Sequence, residues 1–210
     1  MIIEVWSDVV CPWCFIGRRR LQKAIAGLSG KADVEVIHRA FQLDPTANET
    51  ISTQKLLSEK YRVSAQQVAQ MQANVCEIAD GEGLCYNLSE TLSGNTKDAH
   101  RLLIWSKKFN KQDELLEAMY SSYFENSGSL FDHQSLAILA SSIGLEKASV
   151  LSLLSSDELS EEVDVDQATA HQFGANGVPF YVVDRKYAIS GAQPQEIFDQ
   201  TLVKALTEIN

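Results

Sequence analysis

Cys11 and Cys14 are separated only by Pro12 and Trp13. Two thiols at that spacing can exchange disulfides, hold a metal ion, or lie inert in a core. Exchange requires a thiolate as nucleophile, and thiolates are scarce at neutral pH unless the surroundings lower the thiol pKa. A cysteine placed just before a helix meets that need, because the unpaired N–H groups and dipole of the first turn stabilise negative charge. A second cysteine three residues on lies on the same helix face, within bridging reach. Proline suits the first turn, where its missing N–H costs nothing. The expected division of labour makes Cys11 the exposed attacker and Cys14 the more buried partner that closes the ring or resolves a mixed disulfide. Trp13, between them, tunes exposure and the sulfur environment.

Metal binding is the main competitor. Structural zinc takes four nitrogen or sulfur ligands, usually including a second closely spaced pair. The remaining cysteines, Cys76 and Cys85, are not such a pair, and no two histidines stand at finger-like spacing. No metal ligand set is therefore expected. A C-x-x-C at a strand-to-helix junction in a β-α-β unit fits redox chemistry better.

The elements around the motif supply that junction. Ile2-Ile3-Glu4-Val5-Trp6 reads as a strand rich in β-branched and aromatic residues, and Val34 to Phe41 as a second. Between them Phe15, Ile16, Leu21, Ile25 and Leu28 recur at helical spacing, so a helix should begin at or within the motif and end near Gly27 or Gly30. The result is a β-α-β unit, which requires a right-handed parallel crossover. From about Ser52 to Gly174 helical periodicity replaces strand signal. One helix should start at Ser64 with Val68, Met71, Val75 and Ile78 on one face, and Asn95 or Thr96 should cap another. Others should cover Leu115 to Phe124, Gln134 to Ile143 and Lys147 to Leu154. Ser155-Ser156-Asp157-Glu158 reads as a capping box for a helix carrying Leu159, Val163, Ala170 and Phe173. Strand signals return in Phe180 to Val183 and Tyr187 to Ile189, a hairpin candidate, followed by an amphipathic helix from Gln195 to Ile209. Neither end has enough strands for a stable sheet alone, so the strands of both ends should join. Pro179 falls at the start of a strand, where a missing N–H is tolerated.

With 210 residues, 45% apolar and 22% charged, the chain can bury a core without disulfide staples. The net charge of −10 argues against nucleic acid as a partner. Arg18-Arg19-Arg20, the one dense basic cluster, reads as a solvated face. No apolar run is long enough to span a membrane. The first residues lack the positive and apolar regions of a secretory signal, so a cytoplasmic location is expected. In a reducing compartment a C-x-x-C pair is catalytic or metal-binding more often than structural.

Four stretches give the chain a resemblance to a known family. They are Ser7-Asp8-Val9-Val10-Cys11-Pro12-Trp13-Cys14-Phe15-Ile16-Gly17, Asn95-Thr96-Lys97-Asp98-Ala99-His100-Arg101-Leu102, Gly177-Val178-Pro179-Phe180 and Ile189-Ser190-Gly191-Ala192-Gln193-Pro194. Together they resemble the FrnE-like branch of the DsbA family. That resemblance implies an α/β thioredoxin-like fold, β-α-β then β-β-α, with a large all-helical insertion. The expected domains are 1–44 plus 156–210 for the thioredoxin-like part and 45–155 for the insertion. The implied activity is that of a protein disulfide oxidoreductase or isomerase, with Cys11 and Cys14 catalytic. A cis-proline at Pro179 would face them, and the Val178 backbone would pair with a substrate chain. Pro12, Trp13 and His100 complete the substrate-binding candidates. Protein thiols or disulfides, or glutathione, are the implied partners, and no bound cofactor is expected.

The superfamily also holds 2-hydroxychromene-2-carboxylate isomerases and kappa-class glutathione transferases, which normally have a serine where Cys11 stands. A glutathione-dependent isomerase or transferase acting on a small molecule is therefore the second reading, and a non-catalytic zinc- or partner-binding module the third. Thioredoxin itself keeps a buried carboxylate six residues before its first motif cysteine. This chain has Val5 there and Asp8 nearer the loop, so the group that assists deprotonation of Cys14 is not assigned by the resemblance. His100 reads either as a cleft residue near the thiolate or as a packed helix histidine, and His38 as structural. Cys76 and Cys85 read as free thiols, with a second redox pair as the alternative.

Overall fold

The computed structural model describes residues 1–28, 30 and 33–207. In chain order the elements are β1 (Ile2–Ser7), α1 (Pro12–Gly27), β2 (Glu35–Ala40), β3 (Ile51–Ser52), α2 (Thr53–Tyr61), α3 (Ala65–Gly81), β4 (Leu92–Ser93) and α4 (Lys97–Ser106). There follow α5 (Gln112–Tyr120), α6 (His133–Ser142), α7 (Lys147–Leu154), α8 (Ser160–Gln172), β5 (Phe180–Val183), β6 (Tyr187–Ser190) and α9 (Gln195–Thr207). Two compact units result: Met1–Leu43 with the chain from Asp164 onward, and Asp44–Val163.

The first unit is built on a four-stranded sheet ordered β2-β1-β5-β6. The strands of the two chain ends do join: β1 pairs parallel with β2 and antiparallel with β5. Being flanked on both sides, β1 is buried along nearly its whole length, Glu4 included. Alternation sends Ile3, Val5, Tyr181 and Val183 to one face, where they pack with Leu21 and Ala24 of α1 and Phe198 and Leu202 of α9. Trp6, Phe180 and Val182 face the other way, onto Phe41, Ala170 and Ala175. The β5–β6 turn places Asp184 and Arg185 in the left-handed region, and the Asp184 carboxylate accepts the Ile2 N–H at 2.7 Å.

One carboxylate sits within this sheet. Glu4 is buried, and its oxygens accept from Arg39 at 2.9 Å and Arg185 at 2.9 Å. Burial pushes the Glu4 carboxyl upward, but hydrogen bonds and charge from Arg185 and Arg39 outweigh it and hold the group below the ordinary glutamate range. A depressed folded-state pKa contributes stability that is present above the unfolded-state value and is lost as the pH falls through the folded one. The stability difference between wild type and Glu4→Gln should therefore shrink as the pH drops from about 5 toward 3. Urea unfolding of both proteins across that range measures it, and a pH-independent difference would contradict the assignment.

The second unit is mainly helical, with several departures from the sequence pattern. β3 and β4 form a two-residue antiparallel pair that the sequence does not announce. On α3 the buried positions are Val68, Gln72 and Ala79, whereas Met71 and Ile78 are exposed. Ser64 does cap this helix, with a full capping box to Gln67. Thr96 holds the cap position of α4 without a side-chain cap bond, and the Asn95 side chain accepts the Lys97 N–H at 2.9 Å instead. The helix expected from Ser155 begins only at Ser160, because Leu159 adopts a left-handed backbone that breaks the run. The last residues of the expected terminal helix, 208–209, lie outside the described residues.

Candidate active site

The end of β1 delivers the motif. Ser7 O accepts the Phe41 N–H at 3.2 Å, and Asp8 O accepts the Cys11 N–H at 3.1 Å, closing a tight turn. Cys11 is the N-cap residue of α1 with an extended backbone, φ −92° and ψ 110°, and Pro12 fills the first turn. The Cys14 N–H donates to Cys11 O at 2.9 Å, so both cysteines belong to the first helical turn. The rest of α1 is anchored by its basic cluster, contrary to the expected solvated face. Arg18 is buried 3.4 Å from a ring nitrogen of His38, Arg19 lies over the Phe15 ring, and Arg20 donates to the carbonyls of Ala192 and Gln193 at 2.8 and 3.0 Å.

Across from the motif is the start of β5. The Val178–Pro179 peptide is cis, and Cys11 Sγ donates to Val178 O at 3.6 Å. Val178 is half-buried and Pro179 buried. Cys11 is itself only 3% exposed and Cys14 2%, so the expected contrast between an exposed and a buried sulfur is absent. Trp13 carries the exposure instead, at 37%. Burial pushes the Cys14 thiol well up, and the adjoining Cys11 sulfur and the Asp8 charge add to the effect against a weaker backbone hydrogen bond from Asp8. Asp8 is buried, and its carboxylate accepts the Leu43 N–H at 2.7 Å.

Cys11, Pro12, Trp13, Cys14, Val178 and Pro179 are thus brought together in the first unit. His100 belongs to the second unit, where it is buried on α4. Cys76 lies half-buried on α3 with Sγ 3.8 Å from Tyr86 O, and Cys85 is exposed; both are free. Among the described residues no group of three or more His, Cys, Asp or Glu gathers as a metal site would require.

Tyr181, which the sequence marks only as a strand residue, also borders the site. It is 0% exposed and stands two residues after Pro179, hence on the same face of β5. Its hydroxyl lies against Gly17 of α1, where an added Cβ would overlap the phenol oxygen and come 3.2 Å from the Pro179 ring. The available signal was the i, i+2 relation to the strand-initiating proline.

A family model described as the DSBA-like thioredoxin domain matches residues 2–203. The crystal structure of a probable DsbA oxidoreductase from Streptomyces coelicolor is 39% identical, with a TM-score of 0.95 over 99% of this chain and 91% of that one. Among curated proteins, YwbO of Bacillus subtilis, described as uncharacterized, is 27% identical over 205 residues, 95% of this chain and 94% of its own length. The cytosolic disulfide reductase DsbM from Pseudomonas aeruginosa, in a structure with GSH, shares the fold at 13% identity and a TM-score of 0.66, covering 99% of this chain and 100% of that one. Among the described residues no helix is long and apolar enough to cross a membrane.

Proposed function

Because the chain belongs to the family of DSBA-like thioredoxin domains, we propose that it is a thiol–disulfide oxidoreductase whose working sulfurs are Cys11 and Cys14. One observation carries this reading: Cys11 Sγ, at the N-cap of α1, points at Val178 O beside the cis Val178–Pro179 bond. Cys11 is the sulfur that meets substrate, and Cys14, its partner in the first turn of α1, resolves.

In the reductive direction the Cys11 thiolate attacks one sulfur of a substrate disulfide. An S–S bond forms to Cys11, and the second substrate sulfur leaves with the electron pair, as a thiolate. Cys14, deprotonated, then attacks Cys11 Sγ, which forms the intramolecular disulfide and releases the first substrate sulfur. The pair loses two electrons and the substrate gains them; the reverse sequence oxidises a dithiol. Val178 and Pro179 border the incoming sulfur, and the Val178 backbone pairs with an extended substrate segment. Pro12 and Trp13 complete the rim, Trp13 through its exposed ring, and His100 is assigned to substrate binding.

Protein thiols or disulfides and glutathione are the proposed partners, glutathione as co-substrate rather than resident cofactor. The Pseudomonas relative described with GSH supports that choice. We assign the chain to the FrnE-like branch on its Cys11-to-Gly17 and Asn95-to-Leu102 stretches, and to the cytoplasm, where an exposed thiol such as Cys85 is kept reduced. Two motif cysteines favour dithiol exchange over glutathione-dependent isomerisation, which needs only one thiol-binding group.

Cys14→Ser separates these readings. In a dithiol enzyme it stalls after the first attack, so with oxidised glutathione it should accumulate a one-to-one Cys11–glutathione adduct, seen by mass spectrometry, while insulin reduction stops. Failure to form the adduct, with wild type inert toward insulin, would sink the proposal.

A further inference from the structure

The Tyr181 hydroxyl is buried without a hydrogen-bond partner. A phenylalanine would fill the same space and carry no such cost. The space for that oxygen is made by Gly17, a glycine inside α1 where alanine would favour the helix, and any side chain there would overlap the phenol oxygen. Two local sacrifices therefore coincide at one point. Gly17 stands three residues after Cys14, on the same face of α1, and the Pro179 ring borders the slot. The phenol ring packs edge-on to Phe198 of α9, with centroids 5.0 Å apart.

We infer that Tyr181 is a positioning residue for the buried sulfur, its hydroxyl donating a hydrogen bond to Cys14 Sγ in the thiolate state that exists only during exchange. The inference rests on the dithiol reading above. When a substrate thiolate attacks Cys11 of the oxidised pair, a bond forms between those sulfurs, the Cys11–Cys14 bond breaks, and its electron pair leaves on Cys14 Sγ. In the opposite direction Cys14 must lose its proton before it attacks. Either way a negative sulfur arises in an enclosed pocket whose burial opposes it, and the orphaned O–H is a donor waiting there. The phenol keeps its proton: burial, then negative charge at Cys14 and Cys11, raise it well above the ordinary tyrosine value, with Arg20 and Arg18 pulling weakly the other way. Asp8 acts on Cys14 in both senses: its backbone hydrogen bond favours the thiolate, and its charge, the smaller effect, opposes it. In the dithiol state the Cys14 thiol is engaged with Cys11, and the Tyr181 hydroxyl makes no hydrogen bond.

Tyr181→Phe tests this. A hydrogen bond to a charged group predicts that the Cys14 titration, followed by the 13Cβ shift of labelled Cys14 in a Cys11→Ser background, moves up by about one pH unit. Resolution of the Cys11–glutathione mixed disulfide at neutral pH should slow about tenfold, with its pH–rate profile displaced the same way. Thermal stability should hold or rise, because an unpaired buried oxygen is removed. Gly17→Ala should slow resolution in the same manner by displacing the oxygen, and should slow it no further when added to Tyr181→Phe. An unchanged titration and pH profile, in a wild type that exchanges disulfides, would overturn the inference alone. A displaced titration in a wild type that turns over neither insulin nor glutathione would uphold the hydrogen bond and overturn the exchange reading. No displacement and no turnover would overturn both.

Discussion

Replacing Cys11 by serine should reduce the proposed disulfide exchange to the uncatalysed background, a loss of about a thousandfold or more. The change swaps one atom, so the outcome turns on chemistry rather than packing. A hydroxyl at neutral pH is not measurably ionised, and oxygen forms no stable bond to sulfur that Cys14 could later break. The fold should be indifferent. The contact found for Cys11 Sγ is a weak donation to Val178 O at 3.6 Å, which a serine hydroxyl can replace. Insulin reduction and refolding of scrambled ribonuclease are the measurements, with circular dichroism and thermal melting as controls. Retention of both activities in the folded variant would remove Cys11 from the mechanism. The contrast with Cys14→Ser is diagnostic: one variant never forms a mixed disulfide, the other never releases it.

Trp6→Ala has the largest expected effect on stability, a loss of about 3–5 kcal/mol. Trp6 is fully buried at the centre of the sheet, with ring centroids 5.6 Å from Phe173 and 6.3 Å from Phe180. Its indole N–H donates to Asp166 O at 2.7 Å, tying β1 to α8. Truncation leaves a cavity and removes the indole bond to the Asp166 carbonyl. Trp6→Phe keeps most of the volume and should cost less, with the lost hydrogen bond contributing about 1 kcal/mol. Urea midpoints at constant m-value measure both. Trp6 directly precedes Ser7 and Asp8, whose backbone carbonyls hold the motif turn, so Trp6→Ala should also impair exchange at temperatures where the protein remains folded. A shift under 1 kcal/mol, by the same scale, would mean the Trp6 cluster collapses without a cavity.

The site's core was legible because it is local. Cysteine spacing, a proline at the first helical turn and a preceding β-branched strand are all within fifteen residues, and they fix the N-cap geometry of Cys11. The joining of the two chain ends was legible from arithmetic, since neither end holds enough strands alone. What the sequence concealed depends on contacts between distant segments. The nearness of Tyr181 to Gly17 is invisible until α1 and β5 are packed, because neither residue type announces chemistry. The near-equal burial of Cys11 and Cys14 likewise depends on tertiary cover rather than on helix position. On α3 the apolar periodicity points to one face with Val68, Met71, Val75 and Ile78, whereas packing buries Val68, Gln72 and Ala79. The late start of α8 reflects a left-handed residue, Leu159, at a position where leucine carries no such signal.

Cys11 and its acceptor Val178 are 167 positions apart in sequence. On a ribosome adding roughly 5–20 residues per second, the thiol pair emerges on the order of ten seconds before the strand that confronts it. Through that interval β1 has only β2 beside it, and the motif is a flexible dithiol with neither its carbonyl partner nor its enclosing wall. The proposed chemistry therefore waits on the later part of the chain: β5 pairs with β1 and brings Val178 opposite Cys11. An early stop before β5 would yield a polypeptide that carries reactive sulfurs but none of the architecture that directs them.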